Sequence, residues 1–399
     1  MNFKRRHFLM TGAGSMLSWA APPSDRIQLG VIGAGGRGRL VMGEFLKDSS
    51  VRAAAICDVY EPNLEQALSE SGKAGSTPRA YRNYKQLLDS KEVNAVLIAT
   101  PEHWHHRMVL DALAAGKDVY VEKPLCQTPE QGLELVAAEA RSKQIVQVGM
   151  QRRSYDLFLE GRKIVAGGTL GPVRAVRSWW LNNNMAPRTP ARLAGPLDWE
   201  QWQGPAQRRV APDPERFRAW RSYSDYSGGV VADQGNHVFD GIHILMGAGF
   251  PLSVSAMANS PHAPHGDTPE SVVVSACYPE DFLAIFTINY AAMRYKTRND
   301  QATHLDGDKA RMDVSREELK VYLEGAEETP SITRISAGGF HHATSVHVLN
   351  FLNCVRTRKT PAAAMQIGFQ AALIPQLANL SLQSGRRVKW TGKSAIASE

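Results

Sequence analysis

The hexapeptide Gly33-Ala34-Gly35-Gly36-Arg37-Gly38 follows an apolar run, Ile27–Ile32, and opens a segment of helical periodicity. Few short stretches restrict a chain as much. In a G-x-G-x-x-G turn the first glycine bends the backbone sharply after a strand. The second lets backbone approach a pyrophosphate, and the third lets helix and strand pack closely. Such a turn needs a strand before it and a helix after it, so it predicts a βαβ unit. The helix N-terminus offers unpaired N–H groups and a positive dipole end, which suit phosphate. Gly33, Gly35, Gly36, Arg37 and Gly38 are therefore the expected phosphate-side residues. Asp58 ends the next strand, twenty residues after Gly38. A carboxylate there accepts bonds from the adenosine ribose hydroxyls and repels a 2′-phosphate. NAD is expected as cofactor; Arg37 and Arg39 keep NADP open.

The surrounding pattern agrees with a parallel sheet. Short apolar runs at 27–32, 51–57, 93–99, 118–122 and 145–149 alternate with helix-length segments at about 37–47, 63–71, 84–90, 104–115 and 129–143. Strands buried on both faces, with helices between them, make a doubly wound α/β layer. Residues 26–150 are assigned to this Rossmann domain. After residue 150 a helix at 155–166 precedes longer runs at 173–181, 253–258, 272–278 and 282–290. Back-to-back strands predict a largely antiparallel sheet, so residues 151–399 read as a second, α+β domain. A helix is expected over 231–246, and helical periodicity returns at 345–357 and 367–384. Residues 182–228 are rich in Pro, Arg, Trp and Gly; a loop of that length in a compact domain usually serves function.

Of 399 residues, 43% are hydrophobic and 21% charged, an ordinary globular balance. No run is long enough for a stable membrane anchor. Residues 1–21 carry Arg5-Arg6, then Phe8-Leu9 and a weak apolar stretch ending in small residues. That order predicts a twin-arginine signal, an encounter with the twin-arginine export machinery and a periplasmic or otherwise exported location. Removing residues 1–20 takes away Lys4, Arg5 and Arg6 and lowers the formal charge from +7 to +4. The remaining arginines are scattered and make no nucleic-acid surface. Cys57, Cys126, Cys277 and Cys354 show no metal or redox spacing and are expected as free, mostly buried thiols.

Three further segments stand in order behind the glycine loop: Thr100-Pro101-Glu102-His103-Trp104-His105, Glu122-Lys123-Pro124, and Gln147-Val148-Gly149-Met150-Gln151-Arg152-Arg153. Together they resemble the glucose–fructose oxidoreductase / inositol dehydrogenase (Gfo/Idh/MocA) family over about residues 26–390. The resemblance implies a large open sheet beside the nicotinamide, with the last helices returning to the first domain. It also implies hydride transfer at a sugar, polyol or cyclitol hydroxyl, and a homo-oligomer. It places Thr100, Pro101, His105, Glu122, Lys123 and Gln151 at the cofactor, and gives Lys123 a role at the reacting hydroxyl. The family's Asp-x-x-x-His motif reads Asp233-Gln234-Gly235-Asn236-His237 here.

The chemistry can be argued without the family. A hydroxyl loses its proton as hydride leaves the same carbon, and a histidine is suited to take it. A lysine ammonium stabilises the developing alkoxide. On a helix, Asp233 and His237 share one face; Asp240 competes as partner of His237. Arg153, Trp179, Asn182, Trp202 and Arg221 are the candidate substrate contacts, combining planar polar groups with flat apolar surfaces. His103, His105 and His106 lack a second ligand cluster, so no metal is expected.

Three functions compete: an NAD(P)-dependent oxidoreductase acting on CH–OH groups, a redox-neutral glycosidase or lyase working through a transient keto-sugar, and a dinucleotide-sensing protein without catalysis. The glycosidase branch of the resembled family departs from Glu-Lys-Pro, which this chain keeps. Export from the cytoplasm implies a tightly bound cofactor.

Overall fold

The computed structural model describes residues 26–182, 192–261, 266–292 and 300–398. The expected export signal at 1–21 lies outside the described residues. The first layer is β1 (Ile27–Ile32), α1 (Gly36–Phe45), β2 (Val51–Cys57), α2 (Glu61–Lys73), β3 (Arg79–Tyr81), α3 (Tyr84–Leu88), β4 (Ala95–Ile98), α4 (His105–Ala114), β5 (Asp118–Val121), α5 (Pro129–Ala140) and β6 (Val146–Val148). Its six strands are parallel in the order 3-2-1-4-5-6. The order reverses between β1 and β4, and in such sheets ligands bind in the crevice beyond the strands' carboxyl ends there. The strand β3 is absent from the sequence expectation. It is a three-residue edge strand, exposed on Arg79 and Ala80, and so carries no apolar signal.

The second layer runs α6 (Asp156–Ala166), β7 (Val173–Leu181), α7 (Trp199–Gln203), α8 (Pro214–Arg218), α9 (Gly229–Met246), β8 (Ser253–Ala258), β9 (Ser271–Cys277) and β10 (Leu283–Asn289). It continues with β11 (Gln301–Gly307), β12 (Ala310–Val314), β13 (Glu318–Leu323), β14 (Ile332–Ile335), α10 (Gly339–Thr357), α11 (Met365–Ser384), β15 (Val388–Trp390) and β16 (Ala395–Ala397). The strands form one sheet in the order 14-13-12-11-7-10-9-8-15-16. β7 and β10 pair in parallel; the flanking pairs are antiparallel. Strands β11–β16 were not anticipated. In β11 and β12 buried Leu305 and Met312 alternate with His304, Asp306, Arg311 and Asp313, which dilutes the apolar pattern.

The helix α9 lies inside the second layer, against β10 and between α6 and α11. Sixteen of its 18 residues are buried, as expected of a core helix rather than an amphipathic surface one. Its polar side chains therefore need partners. Asn236 donates to the Ala232 carbonyl at 2.8 Å, and His243 meets the Tyr278 hydroxyl at 2.9 Å. The C-terminal helices pack back on the first layer. Phe351 of α10 meets Phe45 of α1 edge to face at 5.8 Å, and Phe369 of α11 lies where a Cβ on Gly132 of α5 would come within 2.1 Å.

Candidate active site

The cleft at the switch point has a volume of about 470 Å³. One end is built by the glycine loop. Gly33 has φ +87°, and a Cβ there would lie 2.8 Å from the backbone of Ala99 and Thr100. A Cβ on Gly38 would lie 2.0 Å from the Gly33 carbonyl oxygen, so the third glycine lets α1 start against the turn. Gly35 and Gly36 line the cleft and face nearly open space. The loop is thus a cradle with bare backbone toward the cavity, which fits a pyrophosphate.

Asp58 lines the same end. Its carboxylate accepts from the backbone N–H of Ala34 at 2.7 Å and of Tyr60 at 2.8 Å. Burial raises its pKa from the ordinary value against these hydrogen bonds. Both nearby arginines are engaged elsewhere. Arg37 donates to Glu122 at 2.8 Å; Arg39 donates to the Ala34 carbonyl at 2.8 Å and pairs with Glu70 at 3.3 Å. Asn63 and Tyr84 complete this end of the wall, and sequence reasoning missed them. Nothing in their local sequence marks them.

At the other end Lys123 follows β5. Its ammonium donates to the Asp233 carboxylate at 2.6 Å and to the Asp233 carbonyl at 2.7 Å. Burial opposes the charge on Asp233, but Lys123 and then Arg221 outweigh it and hold that carboxyl well below the usual range. His237 lies one turn further on α9 and also lines the cleft. Its ring has no hydrogen-bond partner among the described residues. Burial, with the charges of Lys123 and Arg152, pushes its pKa well below the ordinary histidine value. Asp240 is not its partner: Asp240 accepts from Arg153 at 2.6 Å. Gln234 was also missed, although it stands inside the Asp-x-x-x-His motif. It lines the cleft and donates to Asp233 at 3.0 Å and to the Tyr290 hydroxyl at 2.5 Å. Gln151 lines this end with a buried Oε1 that has no partner among the described residues. An acceptor left bare in this way fits the amide N–H of a nicotinamide.

Several expected residues fall elsewhere. Thr100 and Pro101 line the cleft, but His105 is buried behind it. Its ring lies between the carbonyl oxygens of Pro124, at 2.6 Å, and Thr100, at 2.9 Å, and so ties the Lys123 turn to the Thr100 turn. The other histidines diverge: His103 faces the Trp202 carbonyl and His106 faces Glu134. Trp179 points to the outer face of the sheet and stacks on His304 at 4.7 Å. Strand alternation turns its neighbour Trp180 inward instead, toward His237 at 6.4 Å. Arg153 is held by Asp240 outside the cleft wall. Asn182 follows β7, bonded through its backbone to Asn289 and Ala292, and does not line the cleft. Trp202 and Arg221 do line it, joined by Gln201, Phe217 and Trp220. Arg221 stacks on Trp220 at 4.2 Å.

Comparison with known proteins agrees with this architecture. The family model described as "Oxidoreductase family, NAD-binding Rossmann fold" matches residues 27–150, and the "GFO/IDH/MocA C-terminal domain" matches residues 158–313. Glycosyl hydrolase family 109 protein 2 of Shewanella sp. (strain ANA-3) is 35% identical over 127 residues, which cover 31% of this chain and 28% of the relative. The match thus spans less than a third of that protein. Among solved structures, levoglucosan dehydrogenase in complex with NADH has a TM-score of 0.73 at 16% identity, covering 91% of this chain and 99% of that one. Aldose-aldose oxidoreductase from Caulobacter crescentus complexed with glycerol has a TM-score of 0.70 at 19% identity, covering 92% and 100%. At these identities the structures speak for the fold. With a matching model for each of its two layers, the chain belongs to the Gfo/Idh/MocA oxidoreductase family, with an NAD-binding Rossmann fold.

Proposed function

We propose that the protein uses NAD to interconvert a hydroxyl and a keto group on a sugar, sugar derivative or cyclitol. The observation that carries this is the Lys123–Asp233 ion pair beside an uncharged His237 whose ring has no hydrogen-bond partner among the described residues, at one end of the cleft. A bound nicotinamide supplies hydride acceptance and donation. An ammonium has three N–H donors, and two of those on Lys123 go to Asp233. The third is left for a substrate oxygen, where it stabilises alkoxide charge. His237 is neutral at neutral pH and offers a ring nitrogen to the hydroxyl proton. Asp233 stays ionised and holds Lys123 in place. Trp220, Arg221 and Gln234 supply the flat and polar surfaces a sugar ring needs.

The adenosine end favours NAD over NADP. Asp58 stands where a 2′-phosphate would go, and Arg37 and Arg39 already have carboxylate or carbonyl partners. The sugar-acting names of two structural neighbours support the substrate class. A panel of sugars and polyols, read by nicotinamide absorbance, tests the proposal. Lys123→Ala and His237→Ala are each expected to lower turnover by about 10²–10⁴-fold while NAD still binds. Full turnover in both variants would overturn it. A second reading follows from the family 109 name of the matched relative: glycoside cleavage with no net redox change. Release of an aryl leaving group without net NADH formation would favour that reading.

Export through the twin-arginine route, as residues 1–21 suggest, would place the chain where free dinucleotide is scarce. Tight retention of the cofactor is part of the same reading.

A further inference from the structure

The segment 192–228 spans the cleft mouth and is anchored on both sides of it. On one side it joins the loop after β2, next to Asp58. There Asp198 donates its N–H to the Val59 carbonyl at 2.9 Å, and Glu61 donates to the Pro196 carbonyl at 3.0 Å. The Tyr60 hydroxyl accepts from the Ala194 N–H at 2.9 Å, and Tyr60 pairs with Leu197 as an isolated bridge. On the other side it joins the turn after β4. The Trp202 carbonyl accepts from the Trp104 indole at 2.9 Å and faces the His103 ring at 3.0 Å. The buried Glu102 carboxylate accepts from the Ser227 hydroxyl at 2.9 Å and from the Gly228 N–H at 3.1 Å. Between the anchors the segment has its own small core, with Trp199 and Trp202 stacked at 4.7 Å and Tyr226 fully buried. Trp202 and Phe217 of this segment line the cleft together with Asp58, Asn63, Tyr84 and Met108.

The loops after β2 and β4 stand on the two sides of the switch point, across which a dinucleotide lies in a sheet of this order. We propose that residues 192–228 are a strap that closes over bound NAD, from the Asp58 end to the Asp233 end of the cleft, and latches it into the protein, with Glu102 as the latch. Resting on the NAD-dependent function proposed above, this names the element that keeps the cofactor resident. A cofactor held this way is returned to its starting state in place. Each hydride taken from a hydroxyl carbon then goes back to a carbonyl carbon, of a second sugar or of the same substrate, and the proton balance closes with it.

The test uses the full chain and NAD itself. Bound NAD is quantified after gel filtration, and its release rate is followed after dilution into excess labelled NAD. The strap predicts retained, near-stoichiometric NAD in the wild type. Glu102→Ala, confirmed as folded by thermal melting, removes the latch and is expected to release NAD about tenfold faster or more. A second measurement avoids the variant: trypsin cleavage at the exposed Arg208 and Arg209 of the strap should slow when NAD is bound. Loss of NAD from the wild type in one column pass, a wild-type release rate in folded Glu102→Ala, or cleavage indifferent to NAD would each overturn the strap, while the dehydrogenase reading stood. Failure to bind NAD at any added concentration would instead overturn the functional reading, and the strap with it.

Discussion

Gly36 and Gly38 lie two positions apart on one turn, yet a methyl group meets different surroundings at each. At Gly38 it would sit 2.0 Å from the Gly33 carbonyl oxygen, backbone that cannot swing aside. At Gly36 nothing lies within 4 Å, and the open side is the cleft. Gly38→Ala is therefore expected to cost about 3 kcal/mol through overpacking of α1 on the turn. Gly36→Ala should leave folding unharmed, since alanine is the better helix former, and should instead weaken NAD binding by placing a methyl group where phosphate approaches. Thermal melting and NAD titration of the two variants separate the effects. Equal melting temperatures, or undiminished NAD affinity in Gly36→Ala, would contradict this division of roles.

The helix α10 reaches the first layer from the far end of the chain. Phe351 is fully buried there, edge to face with Phe45 at 5.8 Å and with Tyr120 at 5.8 Å. Phe351→Ala removes a core ring that no neighbour can replace, at a cost of about 3–5 kcal/mol. Denaturant midpoints measure it, and a loss below about 1 kcal/mol would show that α10 is only loosely docked. How far such elements are legible in sequence depends on what fixes them. The strands Ile27–Ile32, Val51–Cys57 and Val173–Leu181 could be bounded from sequence because runs of apolar residues and turn signals delimit them. The glycine loop could be read because each glycine has a steric reason. The side-chain directions within the site could not. Trp179 is the candidate the sequence offers, and only sheet register decides that its neighbour Trp180 turns inward in its place. His105 looks like a cofactor contact, but the carbonyls of Thr100 and Pro124 claim both its nitrogens. Glu102 drew no notice, because its partners Ser227 and Gly228 lie more than a hundred residues away.

Across the whole molecule, burial sets two groups of ionisable residues against each other. Burial lowers His103 and His347 to about 4 and His243 to about 3, from an ordinary 6.5. Between those values the unfolded chain holds more protons than the folded one, so these histidines cost stability as pH falls below 6.5. Glu102 moves the other way, raised to about 7 from 4.5 by burial and then by Asp233, and Asp240 is raised by burial to about 6 from 3.8. Here the folded state holds more protons, so stability is regained as pH falls through the raised values. From pH 7 to 6 the unfolded histidines pass through their midpoint of 6.5, so the three together cost about 2 kcal/mol against a gain of about 1.4 kcal/mol from the two acids, and stability declines slightly. Below pH 6 three histidines oppose two acids, a net loss of about 1.4 kcal/mol per pH unit. His105 and His237, also lowered, add to the loss, while Asp58 and Glu139, raised by burial, oppose it. Under about pH 4.5 the unfolded chain also protonates its carboxyls while His103 and His347 take up protons within the fold, so both groups fade together, and the further loss comes from Asp233, whose carboxyl is held well below the usual range. Melting temperatures across pH 4 to 8 should therefore be level between 8 and 7 and fall increasingly on the acid side of 7. A rise from pH 6 to 5 would mean that the buried histidines take up protons within the fold. His103 and Glu102 both sit on the turn that carries the strap's anchors, so acid should loosen that region along with the global fold. Release of NAD measured at pH 5 and pH 7 reads that coupling, and equal rates would separate the strap from the acid-sensitive core.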